Sequence, residues 1–489
     1  MDINTYIGQV PYTEQRDLFI RGLDALQNKP EDDERSHFAL AGIHGMPYTP
    51  YNSVESVPGG SGGGYCPHQQ ILGDEVQRLA LEYVNNDDAP AYREASEKLR
   101  LPYWDWASDS TLPPSTTREN ITVNGPNGTI ALHNPLYNYQ WQTYPLDPAQ
   151  FPGQSGMGPV TTRDEGDDVT NSIKDSVYRT FSSATTYDQM ASMAGSGPSF
   201  ESPHNAIHNS VGGSFLSLDL TSFDALFLIH HCNLDRLAAM WMASHYDTLQ
   251  GQPFTSQGLY STAKGEIITA GSPLKPFYQA DGRTFHTGRT MEATEAFGYT
   301  YQDIPGEDQG RKEGVIVQIN RLYGGPTTTW KLTNASTSRR EWFIEVQVDR
   351  ADLQLPCSIN VYLGDHLAGR TILLSMPKTG VAHDELPLSR VINFLDIDRN
   401  EPKTIERKLI SALHANVTKD GSMLDLRDIP SLRVTLARED VTPPSGESEL
   451  PSYSNRAIVK PILVGPLNES ARGTDSGTGN ASVGRRWMS

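Results

Sequence analysis

Two adjacent histidines, His230 and His231, lie inside a strongly apolar run, Phe223-Asp224-Ala225-Leu226-Phe227-Leu228-Ile229-His230-His231-Cys232-Asn233-Leu234-Asp235-Arg236-Leu237. Such a run folds as a buried helix, and a buried imidazole needs a partner: an acid, a carbonyl or a metal ion. His231 is one helical turn from Phe227 on one side and from Asp235 on the other. A core histidine bonded to Asp235 and a metal ligand are both open at this point. A second pair, His204 and His208, has helical spacing in Glu201-Ser202-Pro203-His204-Asn205-Ala206-Ile207-His208. Pro203 suits a first helical turn, and both imidazoles then project from one face, where they can chelate one ion. His44, in Ala41-Gly42-Ile43-His44-Gly45, and His68, in Tyr65-Cys66-Pro67-His68, form a third group. Histidine-only sets with few thiolates suit copper, zinc, iron or nickel.

Apolar positions at helical spacing predict helices over 12–28 (Leu18, Ile20, Leu23, Leu26), 71–84 (Ile71, Leu72, Val76, Leu79, Leu81, Val84), 172–193, 203–210 and 221–246. A glycine-rich loop runs from Pro58 to Gly64, and 111–170 reads mostly as loop from its Pro, Gly, Asn and Asp content. Beyond about 306 the pattern turns to alternation: Val315-Ile316-Val317-Gln318-Ile319, Trp342 to Val348 and Ser358 to Leu363 read as strands. Recurrent strands with turns between them suggest a β-sandwich over 315–467, after a polar linker at 306–314. The tail, 468–489, reads as disordered.

The formal charge is 40 basic against 59 acidic residues, −19. That argues against nucleic acid and anionic membrane as partners. No apolar run spans a bilayer, and Met1-Asp2-Ile3-Asn4 shows no signal-peptide pattern. Cys66, Cys232 and Cys357 are too scattered for a disulfide framework. The expected location is cytoplasmic.

Taken in order, Gly-Ile-His44-Gly, Cys66-x-His68, Pro102-Tyr103-Trp104-Asp105-Trp106, His204-Asn205-x-x-His208, Phe227-x-x-x-His231-x-x-x-Asp235 and Tyr299-Thr300-Tyr301 resemble the type-3 dicopper family: tyrosinases, catechol oxidases and haemocyanins. Fungal tyrosinases are the nearest pattern. The resemblance implies a mainly α catalytic domain over 1–305, with a four-helix bundle around two coppers, and a C-terminal β-sandwich that shields the site. It implies His204, His208 and His231 as copper-B ligands, and His44 and His68 as copper-A ligands. Cys66 would form a thioether to His68, and Phe227 would overhang copper B. Glu201 and Asn205 would hold a water that takes a monophenol's proton. Read alone, Glu201 could be a solvated residue and Asn205 a helix cap. The implied activity is o-hydroxylation of monophenols and oxidation of o-diphenols to o-quinones with O2, feeding melanin synthesis. Small phenols and O2 are the expected partners, and a homo-oligomeric state is left open.

One departure stands out. The family pattern continues with Phe-Pro-x-Trp-His, which supplies a third copper-A histidine. Here that position is Gln77, and no histidine follows until His133. An internal deletion directly after His68 accounts for this. His37 or His133 are candidate substitutes, while Asp74 and Glu75 are hard ligands poorly matched to Cu(I). Two other readings therefore stand beside the active enzyme: an impaired one-copper or copper-free relative, and a catechol oxidase without monophenol activity.

Overall fold

The computed structural model describes residues 1–8, 13–58, 68–84, 87–164, 170–245, 253–256, 258–291, 293–305, 310–324, 338–393 and 401–464. Cys66, most of the glycine-rich loop, residues 306–309 and the tail 468–489 lie outside them.

The first half is mostly helical: α1 (Ile3–Gly8), α2 (Glu14–Asn28), α3 (His37–His44), α4 (His68–Ala80), α5 (Ala89–Lys98), α6 (Thr170–Ser183), α7 (Tyr187–Ala191), α8 (Glu201–Val211), α9 (Gly213–Leu216) and α10 (Leu226–Ser244). Between α5 and α6, where loop was expected, a hairpin forms from β1 (Asn120–Gly125) and β2 (Gly128–His133). Short strands β3 (Phe254–Thr255) to β4 (Ile267–Ile268) and β5 (Pro273–Tyr278) to β6 (Phe285–Thr287) follow α10.

Side-chain caps set several helix starts. Thr13 Oγ1 accepts from Arg16 N, and Ser36 Oγ from Ala39 N at 3.0 Å. Asp224 Oδ1 takes the Leu226 N–H at 2.9 Å as α10 begins, and Arg163 neutralises that buried carboxylate. Gly212, at φ 63°, ends α8, and a Cβ there would meet Asp164 Oδ2 at 1.9 Å. The predicted helix at 71–84 stops at Ala80, leaving Leu81 and Val84 exposed rather than on the buried face. The predicted helix at 172–193 is two helices, α6 and α7.

The helix α10 is buried round most of its circumference, apolar side chains lining nearly all its faces. Its Arg236 is fully buried and compensated by Asp303 (2.7 Å), Asp105 (3.3 Å) and the Tyr323 hydroxyl (2.9 Å). A buried cation persists only with such partners. This network ties the Pro102–Trp106 segment to α10.

The strand expected at 315–319 is a helix, α11 (Arg311–Tyr323). Val315, Ile319 and Tyr323 lie on one face and join the core of the helical half. A short β-branched run fits either element, and the helical spacing of the buried residues decides it. The helical half thus extends past residue 315, and the linker expected at 306–314 overlaps the first turn of α11. Arg311, within that expected linker, is ion-paired there with Glu295.

The second half contains β7 (Arg339–Asp349), β8 (Cys357–Leu363), β9 (His366–Leu373), β10 (Val381–Pro387), α12 (Ser389–Asn393), α13 (Pro402–Ala412), β11 (Leu413–Lys419), β12 (Ser422–Met423), β13 (Arg433–Thr442) and β14 (Ser452–Val464). They form two four-stranded sheets, β10-β7-β13-β14 and β12-β11-β8-β9. Ile344 pairs with Leu386 on one side and Leu436 on the other, while Val361 pairs with Ala415 and Gly369. Trp342, Ile344, Val346 and Val348 of one sheet share a core with Ile359, Val361 and Leu363 of the other.

The two halves meet along α6 and α8. Arg179 of α6 enters the β half, bonds Glu385 (2.6 Å) and Glu439 (2.5 Å), and lies over the Phe343 ring at 4.4 Å. All three charged groups are buried. Asp384 accepts from Ser202 of α8 at 2.9 Å, and His383 N donates to Met193 O at 2.7 Å.

Candidate metal centre

Three imidazole Nε2 atoms converge between α8 and α10. His208 Nε2 is 3.2 Å from His204 Nε2, which is 3.4 Å from His231 Nε2. His208 Nδ1 lies 2.7 Å from the Phe215 carbonyl, which can only accept. His204 Nδ1 lies 2.8 Å from Asn205 Oδ1, also an acceptor because the Asn205 amide nitrogen donates elsewhere. Both rings therefore carry their proton on Nδ1 and turn a bare Nε2 lone pair inward. Facing lone pairs repel at that distance unless a cation sits between them. Ligand nitrogens at about 2.0–2.1 Å from a tetrahedral ion lie about 3.3 Å apart, which is the spacing seen here.

His230 joins this cluster. Its ring stacks on His204 with centroids 4.9 Å apart, and neither of its nitrogens has a hydrogen-bond partner among the described residues. Ligand atoms of His204, His208, His230 and His231 all lie within 4.8 Å of one another, the one such histidine, cysteine and carboxylate group found among the described residues. The sequence placed His230 in the right helix without assigning it to the site; its adjacency to His231 inside an apolar run was the available signal.

Burial, followed by the mutual repulsion of neighbouring rings, holds His208, His230 and His231 well below the ordinary imidazole pKa. Burial also lowers His204 and takes His44 down to about 4. All are neutral near pH 7, the state that binds metal.

His44, at the end of α3, lies directly beside this cluster, its ring 6.4 Å from that of His231. The buried Phe227 ring packs against both, 4.6 Å from His44 and 4.2 Å from His231. His68 opens α4 and is buried, with the His37 ring 5.3 Å away. His37 Nε2 is taken by the Phe223 carbonyl at 2.8 Å. His133 is elsewhere, 2.9 Å from Asn138 Oδ1. Gln77 is exposed: nine residues at about 100° each place it across α4 from His68. Glu75 is paired with Arg78 and Lys29, and Asp74 with Arg35. Among the described residues the His44 side thus has no gathered third ligand, and there a second ion does not fit as the first fits the Nε2 trio.

Glu201 and Asn205 stand on α8 beside the cluster. Glu201 is the first residue of that helix and part-exposed, while Asn205 lies within it and is buried, so neither is its cap. Glu201 Oε1 is ion-paired with Arg350 at 2.8 Å, and its Oε2 accepts from Met193 N and Ser192 Oγ at 2.8 and 3.0 Å. Asn205 Nδ2 donates to the Ile372 carbonyl at 3.1 Å. Arg350 and Ile372 come from the β half, and no local sequence signal points to them. Asp235 does not bond His231; it accepts from Tyr299, at 2.9 Å, and from Tyr301.

Residues 34–244 match the family model described as the common central domain of tyrosinase. A tyrosinase of Podospora anserina is 29% identical over 343 residues, covering 60% of each chain. Polyphenol oxidase 3 of Agaricus bisporus is 27% identical over 367 residues, covering 64% of this chain and 63% of its own. The chain matches about 60% of the length of these curated relatives. In fold, it resembles a recombinant mushroom tyrosinase with a TM-score of 0.81 at 20% identity, over 95% of this chain and 97% of that one.

Proposed function

Since the chain belongs to the fungal tyrosinase family of type-3 copper proteins, we propose that it oxidises small phenols with O2. The observation that supports this most directly is the trio of inward Nε2 atoms on His204, His208 and His231. These three hold one copper, and His44 and His68 offer imidazoles to a second. Bound copper supplies the redox chemistry between O2 and the phenol; the chain supplies the rest.

Phe227, packed against both His44 and His231, blocks the approach of a phenol ring from its own side. Glu201 and Asn205 hold a water that accepts the phenol proton. Cys66 forms a thioether to His68, fixing that ring. The products are o-diphenols from monophenols and o-quinones from o-diphenols, with water as co-product, and the quinones feed melanin. α3, α4, α8 and α10 act as the bundle around the centre, and the two sheets act as a sandwich that shields it.

A second reading, an impaired one-copper relative, is favoured by the exposed Gln77 and by the absence, among the described residues, of a gathered trio around His44. Copper content, with quinone formation from a monophenol and an o-diphenol, decides between them. Two coppers per chain and quinone from either substrate support the oxidase. One copper per chain, with no quinone before or after release of the β half, leaves the impaired relative.

A further inference from the structure

A row of side chains across β9, β8 and β11 is held in one hydrogen-bonding sense. Ile359, Val361 and Val417 point into the core shared by the two sheets. Asn360 and its cross-strand partners Arg370 and Asn416 therefore lie on the opposite, outer face. A guanidinium can only donate, so Arg370 Nε, at 2.8 Å, fixes Asn360 Oδ1 toward β9. The Asn360 amide nitrogen then faces β11 and donates to Asn416 Oδ1 and Thr418 Oγ1, both at 3.0 Å. Asn416, presenting its oxygen inward, turns its own amide nitrogen outward. Asn360 is buried, whereas Asn416 and Arg370 are half-buried. What the row has left to offer is donors, the Asn416 Nδ2 and Arg370 Nη hydrogens, which have no partner among the described residues.

The next row on the same face, Thr418, Ser358 and Ile372, lines a crevice of about 170 Å³. Leu216 of α9 and Pro356 join Ile372 in an apolar wall, while Lys419 and the exposed Asp420 bring one charge of each sign. A cavity of about 150 Å³ takes one benzene ring. Rows two residues apart on a strand face are separated by about 6.6 Å, the reach of a two-carbon chain between a ring and a carboxylate.

We propose that the crevice and the Asn360 row together bind a small arylalkanoate, an aromatic ring joined to a carboxylate through a two-carbon chain. The ring packs against Leu216, Pro356 and Ile372, and the carboxylate takes the Arg370 Nη and Asn416 Nδ2 hydrogens. A carboxylate is all acceptor and matches a row that offers donors; a ligand cation there would meet the Arg370 charge. This site depends neither on bound copper nor on phenol oxidation.

The test uses the full chain, treated with a chelator so that a carboxylate has no metal to bind, and hydrocinnamate as the probe. Binding is read from the methyl resonances of Leu216 and Ile372, with a Kd of about 1 mM as the scale for so small a ligand. Hydrocinnamide, the neutral amide of the probe, should bind at least about tenfold more weakly, the scale of one lost charge-assisted hydrogen bond. Hydrocinnamate should lose a similar factor on Arg370→Met and less on Arg370→Lys, which keeps the charge without the planar fork. Acetate should leave both methyl resonances unmoved. The acid, amide and acetate comparison needs only the wild-type chain, so it stands even where Arg370→Met fails to fold. The proposal is overturned by unmoved methyls at about ten times the expected Kd, by equal affinity for acid and amide, or by a folded Arg370→Met that binds as wild type does. Acetate binding as tightly as hydrocinnamate would also overturn it, leaving an adventitious anion site only.

Discussion

His208 Nε2 faces His204 Nε2 across 3.2 Å, while both Nδ1 atoms are committed to acceptors, the Phe215 carbonyl and Asn205 Oδ1. Two lone pairs point at each other, so the metal-free pocket carries a repulsion that copper removes. Copper should therefore stabilise the chain against heat. At free copper about 100-fold above Kd the gain is about 2.7 kcal/mol by mass action. His208→Ala should abolish that thermal shift and lower bound copper by about one ion per chain. A full shift in the variant would show that the ion binds elsewhere.

Acid should act on the histidines and on Asp384 in opposite directions. Burial keeps His44 neutral down to about pH 4, whereas the unfolded chain takes that proton near 6.5. The metal-free protein thus loses stability from His44 as pH falls from 6.5 toward 4, and the other buried imidazoles add to the loss. Asp384 behaves inversely: burial raises its carboxyl from 3.8 to about 6, so the folded form holds a proton that the unfolded form releases. It contributes relative stability as pH falls through 6 toward 3.8. Urea midpoints measured across this range should fall more steeply in Asp384→Asn than in wild type. Parallel curves would remove Asp384 from the account.

The join between the halves depends on a buried cation. Arg179→Met would leave Glu439 and Glu385 in the interface without their shared guanidinium. Arg456 still reaches Glu385, so the Glu439 side carries most of the cost. Breaking such a pair costs about 3–5 kcal/mol. Urea unfolding should show a loss of that order, and Glu439→Gln in the same chain should recover part of it. A loss below about 1 kcal/mol, the range of a surface pair, would mean that the halves are held by apolar packing alone.

The sequence made some of this visible for geometric reasons. Spacing alone puts His204 and His208 on one face of α8, and the apolar run around His231 could only be a buried helix. Val315 to Ile319 misled because a short β-branched run has no decisive period. Its buried members, Val315, Ile319 and Tyr323, follow helical spacing only when the window reaches Tyr323. The contacts of Arg350 with Glu201 and of Ile372 with Asn205 join residues 149 and 167 apart, and no local pattern encodes such a meeting. His230 was legible as buried, but only its stacking on His204 shows which neighbours it has.

Restoring a histidine at position 77 should not restore a second copper. His68 is the first residue of α4, and Ile71, Leu72, Glu75, Val76 and Leu79 continue the buried face below it. Position 77 lies two and a half turns beyond His68, on the opposite face, and is exposed, flanked by the solvent-facing Arg78. A histidine there points out of the protein whatever its rotamer, because Cα–Cβ direction on a helix is fixed by position. The missing ligand needs chain between His68 and α4, so that a later residue of the helix can turn toward His44. Gln77→His should bind no more copper than wild type under copper excess. A chain carrying an inserted Phe-Pro-x-Trp-His segment after His68 should gain one ion. A second copper in Gln77→His alone would show that α4 can rotate or shift, and that the break after His68 is not what disables the His44 side.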